Sequence, residues 1–263
     1  LKFSIYPRFL IEKNIKSLFP LVPPLLLLHS SYYLFLLTDR FFVTFLDIGD
    51  ISALTYATVL TFAIPLLLSM ATYFLTAYSE EKKTSEKNRK FNEAMSLAIL
   101  IGLPTTIFFI FKSENIISIL LERGAFSYEN SILVSLILSV LCLAIIPLCI
   151  LPALDQIYQA ERKFRRIIYI KILCFFINIL LNTYFIFFLN YGVIGAALGT
   201  VISFWIMFLL SLIDIKYFNI QILWIKHIKW FLWILAFNCP LIFIKDYEFF
   251  KNELNFLNLI IFI

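Results

Sequence analysis

The amino-acid sequence predicts an all-α fold, a polytopic membrane helical bundle with seven complete transmembrane helices and a truncated eighth. Three observations carry that expectation. The chain has 263 residues, 62% hydrophobic and 15% charged, with a mean hydropathy of +0.92, whereas a water-soluble domain carries roughly a quarter charged residues. Its apolar residues are gathered into runs of the about 20 residues that a helix needs to cross the hydrocarbon core. The runs lack two-residue alternation, which excludes a membrane β-barrel built from alternating segments of about ten residues.

The runs lie near 20–46, 52–77, 92–111, 131–152, 167–189, 192–213 and 224–244, and an eighth begins near 254 and is cut off. The first is preceded by Lys2, Arg8, Lys13 and Lys16 and contains "LLTDRFFVTF", with Asp39 beside Arg40. The second follows the gap at 47–51 and is closed by "SEEKKTSEKNRK", Ser79–Lys90. The third ends at the gap 112–130, which holds Lys112 and Arg123. The fourth leads into "ERKFRRIIYIK", Glu161–Lys171. Only Asn190 and Tyr191 separate the fifth from the sixth, so these two are antiparallel neighbours. Lys216 precedes the seventh, Lys226 and Lys229 stand at its start and are counted with that connection, and the gap 245–253 follows it. Counted along the chain, 17 of the 22 Lys and Arg fall on alternate connections. By the positive-inside rule the N-terminal end is cytoplasmic, and the gaps at 47–51, 112–130, 190–191 and 245–253 face outward. The chain starts at Leu1 with no methionine or signal sequence and stops inside an apolar run, and it reads as a piece of a longer protein.

The four cysteines, Cys142, Cys149, Cys174 and Cys239, sit in apolar runs without metal-ligand spacing, so neither disulfides nor zinc are expected. The charge run Ser79–Lys90 has mixed signs between two spans and reads as a solvated cytoplasmic loop rather than a nucleic-acid patch. Glu161–Lys171 meets the membrane surface and reads as a topology anchor in reach of anionic lipid headgroups. Tyr184 and Tyr191 read as interface aromatics, His29 as a hydrogen-bonded bundle residue, and His227, beside Lys226 and Lys229, as interface decoration. Paired intramembrane aspartates, a Ser/His pair and a zinc motif are all missing, so no enzyme is expected.

Four stretches carry a family resemblance. They are "GDISALTYA" (Gly49–Ala57), "LLERGAF" (Leu120–Phe126), "YQAERKFRRIIYI" (Tyr158–Ile170) and "NYGVIGAALGT" (Asn190–Thr200). Their order and spacing resemble the second half of the MurJ/MviN lipid II flippases, fourteen-helix proteins of the multidrug/oligosaccharidyl-lipid/polysaccharide exporter superfamily. The resemblance implies a bacterial cytoplasmic (inner) membrane transporter in peptidoglycan biosynthesis. It would carry the undecaprenyl-linked precursor, lipid II, from the inner to the outer leaflet by alternating access. Residues 1–213 would form the C-terminal lobe and residues 214–263 additional helices of a lipid-tail groove, with an N-terminal lobe missing. Membrane lipids and the lipid-linked precursor are the implied partners, and nucleic acid is not among them. Two departures stand out. Val59 occupies the position where the family usually carries an arginine facing the cavity, and the proline of the link into the eleventh helix is absent. The alternatives are another exporter of the superfamily, for drugs or polysaccharide units, and a non-transporting remnant or scaffold.

Asp39 and Arg40 lie about ten residues short of Gly49, roughly 15 Å below the outer interface at the helical rise. A charge at that depth needs a partner or a wet cavity. Arg40 can snorkel along its stem and is the candidate substrate contact, whereas Asp39 is too short to leave. Asn178 and Asn182 in "NILLN" share one helical face, and Thr200 stands in the adjoining span. Asp39, Asn178, Asn182 and Thr200 make an all-oxygen set with a single charge, which suits Na⁺ better than Ca²⁺ or Mg²⁺. The resemblance supports such a site, because it places these helices around a cation. The expected drive is the membrane potential or a Na⁺ gradient, with Na⁺ as the candidate coupling ion, and no other cofactor is expected. The competing reading pairs Asp39 and Arg40 with polar groups at the membrane boundary and leaves the asparagines as interhelical glue worth ~1 kcal/mol each.

Overall fold

The computed structural model describes residues 22–67, 78, 83–124 and 126–243. These residues form helices without strands. In chain order they are α1 (Val22–Val43), α2 (Asp50–Leu67), α3 (Thr84–Leu121), α4 (Tyr128–Leu141), α5 (Ile145–Ala160), α6 (Phe164–Thr183), α7 (Gly192–Asp214) and α8 (Trp224–Phe243). Among the described residues, four stretches are long and apolar enough to span a membrane: Thr84–Leu121, Tyr128–Ala160, Phe164–Phe188 and Gly192–Phe218. The eighth apolar run and the N-terminal basic segment lie outside the described residues.

Local chemistry sets the element ends. Gly49 has φ +106°, a conformation that costs glycine little, and the chain turns there into α2, where Asp50 complements the helix dipole. Ser127 caps α4 by accepting from the Asn130 backbone N–H at 3.4 Å. α3 is nearly twice the length of its apolar run, because it continues at both ends into charged residues. On its N-terminal side Arg89 pairs with Glu86 and Glu93 one turn away on either side. Half of the expected cytoplasmic loop is therefore helix, and the outward gap shrinks to a short link around Ser127.

The fourth span is broken. A 3₁₀ turn, Cys142–Ala144, separates α4 from α5. Pro147 has no N–H to offer the Leu143 carbonyl four residues back, and the indole Nε1–H of Trp205 on α7 donates to that carbonyl instead, at 3.0 Å. Thr106 of α3 donates to the Cys142 carbonyl at 3.1 Å.

Helix packing follows residue size. α6 passes through a π turn, Tyr184–Phe188, and reverses at Asn190 and Gly192, both with positive φ. α7 then returns along α6, presenting Gly195, Ala196 and Gly199, and small residues at a one-turn interval let two membrane helices approach closely. α1 lies against α6 and α7, α2 against α4 and α5, and α3 against α4, α5 and α8.

Candidate functional site

Four polar side chains meet where α1, α6 and α7 converge. Asp39 is 3% exposed, Asn178 and Asn182 are fully buried, and Thr200 is 1% exposed. Asn182 Nδ2 donates to Asp39 Oδ1 at 2.8 Å, and Asn178 Nδ2 approaches the same oxygen at 3.5 Å. Asn178 Nδ2 also donates to Thr200 Oγ1 at 3.1 Å, and the Thr200 hydroxyl donates to Asp39 Oδ2. The one-turn spacing stacks the two asparagines, and the tight reversal after α6 brings Thr200 opposite them. The four residues singled out in the sequence thus form one cluster around a single carboxylate.

The cluster is closed from behind by Gly199. A Cβ built on Gly199 would stand 2.2 Å from Asn182 Oδ1, so the amide occupies the space that any side chain would need. That oxygen is buried and has no hydrogen-bond partner. The amide nitrogens serve the carboxylate, and an amide oxygen is left over.

Arg40 takes a different direction, since consecutive helical residues diverge by about 100°. It is exposed and forms no ion pair with Asp39. Instead it lines a cavity of about 520 Å³ between α1, α2, α3 and α5, together with His29, Tyr32, Tyr33, Val59 and Phe62. The two neighbours thus serve different surroundings, Asp39 the polar cluster and Arg40 the cavity wall.

Three other expectations change. His29 is exposed on the cavity wall and is not a hydrogen-bonded bundle residue. His227 is buried rather than decorative: its Nε2 lies 2.9 Å from Asn92 Oδ1 on α3. Asn92 also accepts the Leu223 backbone N–H at 2.8 Å and donates to the Gln221 carbonyl at 2.8 Å, tying the start of α8 to α3. Lys171 is not at the membrane surface. Only 3% exposed, it pairs with Asp155 of α5 at 2.7 Å, a partnership the sequence reading missed although the sign of it, a lysine inside an apolar run, was visible. Arg166, from the same basic stretch, makes a two-pronged contact with Asp214. Tyr184 and Tyr191 are exposed, in keeping with interface aromatics.

A family model described as lipid II flippase MurJ matches residues 1–259. The probable lipid II flippase MurJ of Aquifex aeolicus is 28% identical over 200 residues, which covers 75% of this chain and 39% of that protein. The lipid II flippase MurJ of Thermosipho africanus is 30% identical over 154 residues, 59% of this chain and 32% of that protein. Among solved structures, a lipid II flippase MurJ in an inward closed conformation superposes with a TM-score of 0.72 at 26% identity. That match covers 88% of this chain and 49% of the other. An outward-facing multidrug resistance transporter of the MATE family, at 20% identity and a TM-score of 0.65 over 76% of this chain and 44% of its own, shares the fold. The chain spans about two fifths of the length of the first of these curated relatives.

Proposed function

The chain belongs to the lipid II flippase MurJ family, a family of transporters rather than enzymes, and from that membership we propose that it is the C-terminal lobe of a precursor flippase. In this reading the whole transporter carries the undecaprenyl-linked peptidoglycan precursor across a bacterial cytoplasmic membrane by alternating access, with an N-terminal lobe supplying the other wall of the cavity. Residues beyond 213 would add the lipid-tail groove, with the N-terminal end of the chain in the cytoplasm.

Two features of the lobe support specific roles. Arg40 and Val59 line the same cavity, so an arginine on α1 can serve a pyrophosphate from the wall where the family usually carries its arginine on α2. A guanidinium suits that task through its forked donors. The second feature is the Asp39 cluster, which carries the ion-coupling reading. Its donor set fits Na⁺: two carboxylate oxygens, the Thr200 hydroxyl and the asparagine carbonyls, one of them already without a partner. When bound, the ion would supply the positive charge that Asp39 lacks within the membrane. The protein's own part is to exchange links. Asp39 holds α1 to α6 through asparagine N–H groups and to α7 through the Thr200 hydroxyl, and rotation of those amides would turn their oxygens inward and rearrange the seam between the three helices.

The test is Na⁺-dependent thermal stabilisation of the purified full-length protein. At a Na⁺ concentration about 100 times Kd, binding adds about 2.7 kcal/mol. Asp39→Asn should abolish the Na⁺ response and Asn182→Ala should reduce it, while the double variant adds little because both changes strike one site. Arg40→Ala should keep the response yet lower transport. Equal stabilisation of the unmodified protein and Asp39→Asn by Na⁺ would remove Asp39 from the site.

A further inference from the structure

Two helical turns inward from Asp39, the same helices meet at a second ionisable cluster. Tyr32 precedes Asp39 by seven residues on α1, and Lys171 precedes Asn178 by seven on α6, which puts the two levels about 10 Å apart. At the inner level Lys171 Nζ donates to Asp155 Oδ2 at 2.7 Å and to the Leu28 carbonyl at 3.0 Å. It also stands 4.2 Å from the centroid of the Tyr32 ring. The Tyr32 hydroxyl donates to the same Asp155 oxygen at 2.9 Å. Lys171 and Asp155 are each 3% exposed. An ion pair at such a site is costlier than packed apolar side chains of the same volume, so stability gives no reason for it.

We propose that Asp155, Lys171 and Tyr32 form a proton-exchange site that opens to the cavity through Tyr32. The geometry selects the ligand. All three donors of the ammonium are engaged, on a carboxylate, a carbonyl and a ring face, so Lys171 has nothing left for an anion. Asp155 Oδ1 is buried without a hydrogen-bond partner and is the only vacancy in the cluster. A metal cation there would face the ammonium with no second carboxylate to offset the repulsion. A proton needs no coordination shell and forms one O–H bond at Oδ1, delivered by cavity water that returns to neutral form when a hydronium gives it up. The cluster then changes from net zero to one positive charge.

The surroundings leave this chemistry to few groups. Lys171 of α6, with Tyr32 and His29 of α1, act on Asp155, as does Tyr158 one turn along α5, whose hydroxyl is taken by Asp214. Tyr32 and His29 both line the cavity. α7 carries Asp214 at its end, occupied by Arg166 and the Tyr158 hydroxyl, and α2 and α3 keep their ionisable residues toward their ends. Uptake of the proton would weaken the hold of Asp155 on both Lys171 and Tyr32. That releases α1 from α5 and α6 at the level below Asp39, so the proton and the outer cluster act on one helix.

Infrared difference spectroscopy of the purified protein in lipid, between mildly alkaline and mildly acidic buffer without Na⁺, tests this directly. A protonated-carboxyl stretch should appear on acidification, persist in Asp39→Asn, and be lost in Asp155→Asn. Tyr32→Phe, which keeps both charges but withdraws a hydroxyl from the carboxylate, should move its midpoint to higher pH. If Asp155→Asn alone does not fold, Asp155→Asn/Lys171→Met, which removes the charges together, replaces it. Identical difference spectra for the unmodified protein and the Asp155 variant overturn the proposal, as does a midpoint unmoved in Tyr32→Phe. Because Na⁺ is absent throughout, neither result depends on the outer cluster binding an ion.

Discussion

A methyl group at position 199 would meet the carbonyl oxygen of Asn182 at 2.2 Å, so Gly199→Ala must push that amide away from Asp39. The Na⁺ response of thermal stability should fall, and the basal Tm should drop with it. Pairing Gly199→Ala with Asn182→Ser should recover much of the basal Tm by restoring space, while the Na⁺ response stays low because a ligand has gone. If both quantities recover together, Asn182 is packing and not a ligand. Asp39, Asn178, Asn182 and Thr200 were legible in the sequence because a short polar side chain in an apolar run has no route to water and must find partners of its own kind. The role of Gly199 was not legible, since its significance lies in a contact made by the preceding helix. Lys171 was read wrongly for a related reason. Counting positive charges fixes which side of the membrane a connection lies on, but a long side chain near a helix end can reach outward or fold inward, and only the position of Asp155 decides between them.

Among the elements, the broken fourth span makes the sharpest prediction. Trp205→Phe should leave the Leu143 carbonyl unpaired in a stretch apolar enough to span a membrane, where water does not replace the indole, at about 1–3 kcal/mol. In a Pro147→Ala background the helix can supply its own N–H, so the same Trp205→Phe change should cost clearly less. A double-mutant cycle on unfolding in detergent measures the difference, and equal costs in both backgrounds would disprove the link between the proline and the indole. Asn92 offers a parallel case on α8. Asn92→Ala removes partners from the Leu223 N–H, the Gln221 carbonyl and His227, and proteolysis between α7 and α8 should accelerate while the rest of the lobe keeps its stability. The apolar runs marked these elements well at their centres and poorly at their ends. Hydropathy registers the hydrocarbon layer, and α3 simply keeps turning once outside it, held by pairs such as Arg89 with Glu93.

For the molecule as a whole, the sidedness deduced from the basic connections is open to direct measurement. In a cysteine-free background, Ser85→Cys and Arg165→Cys should resist an impermeant thiol reagent applied to intact cells, and Ser127→Cys should react. Labelling of position 85 from outside would reverse the orientation. If the chain is the single lobe proposed above, residues 1–263 expressed alone should insert in the membrane yet fail to support growth of cells depleted of their lipid II flippase, because one lobe cannot enclose a path; rescue would overturn the two-lobe reading. The cavity of about 520 Å³ also has a pharmacological consequence. Its volume is that of a drug-sized site, and its wall is aromatic and aliphatic apart from Arg40, His29, the Cys149 thiol and a few hydroxyls. An inhibitor aimed at this cavity should be a lipophilic, ring-containing acid, with its anionic group placed for Arg40 and its body stacked on Tyr32 and Tyr33. Cationic amphiphiles would be repelled by the guanidinium, and on the function proposed above a resistance change at Arg40 would also lower transport.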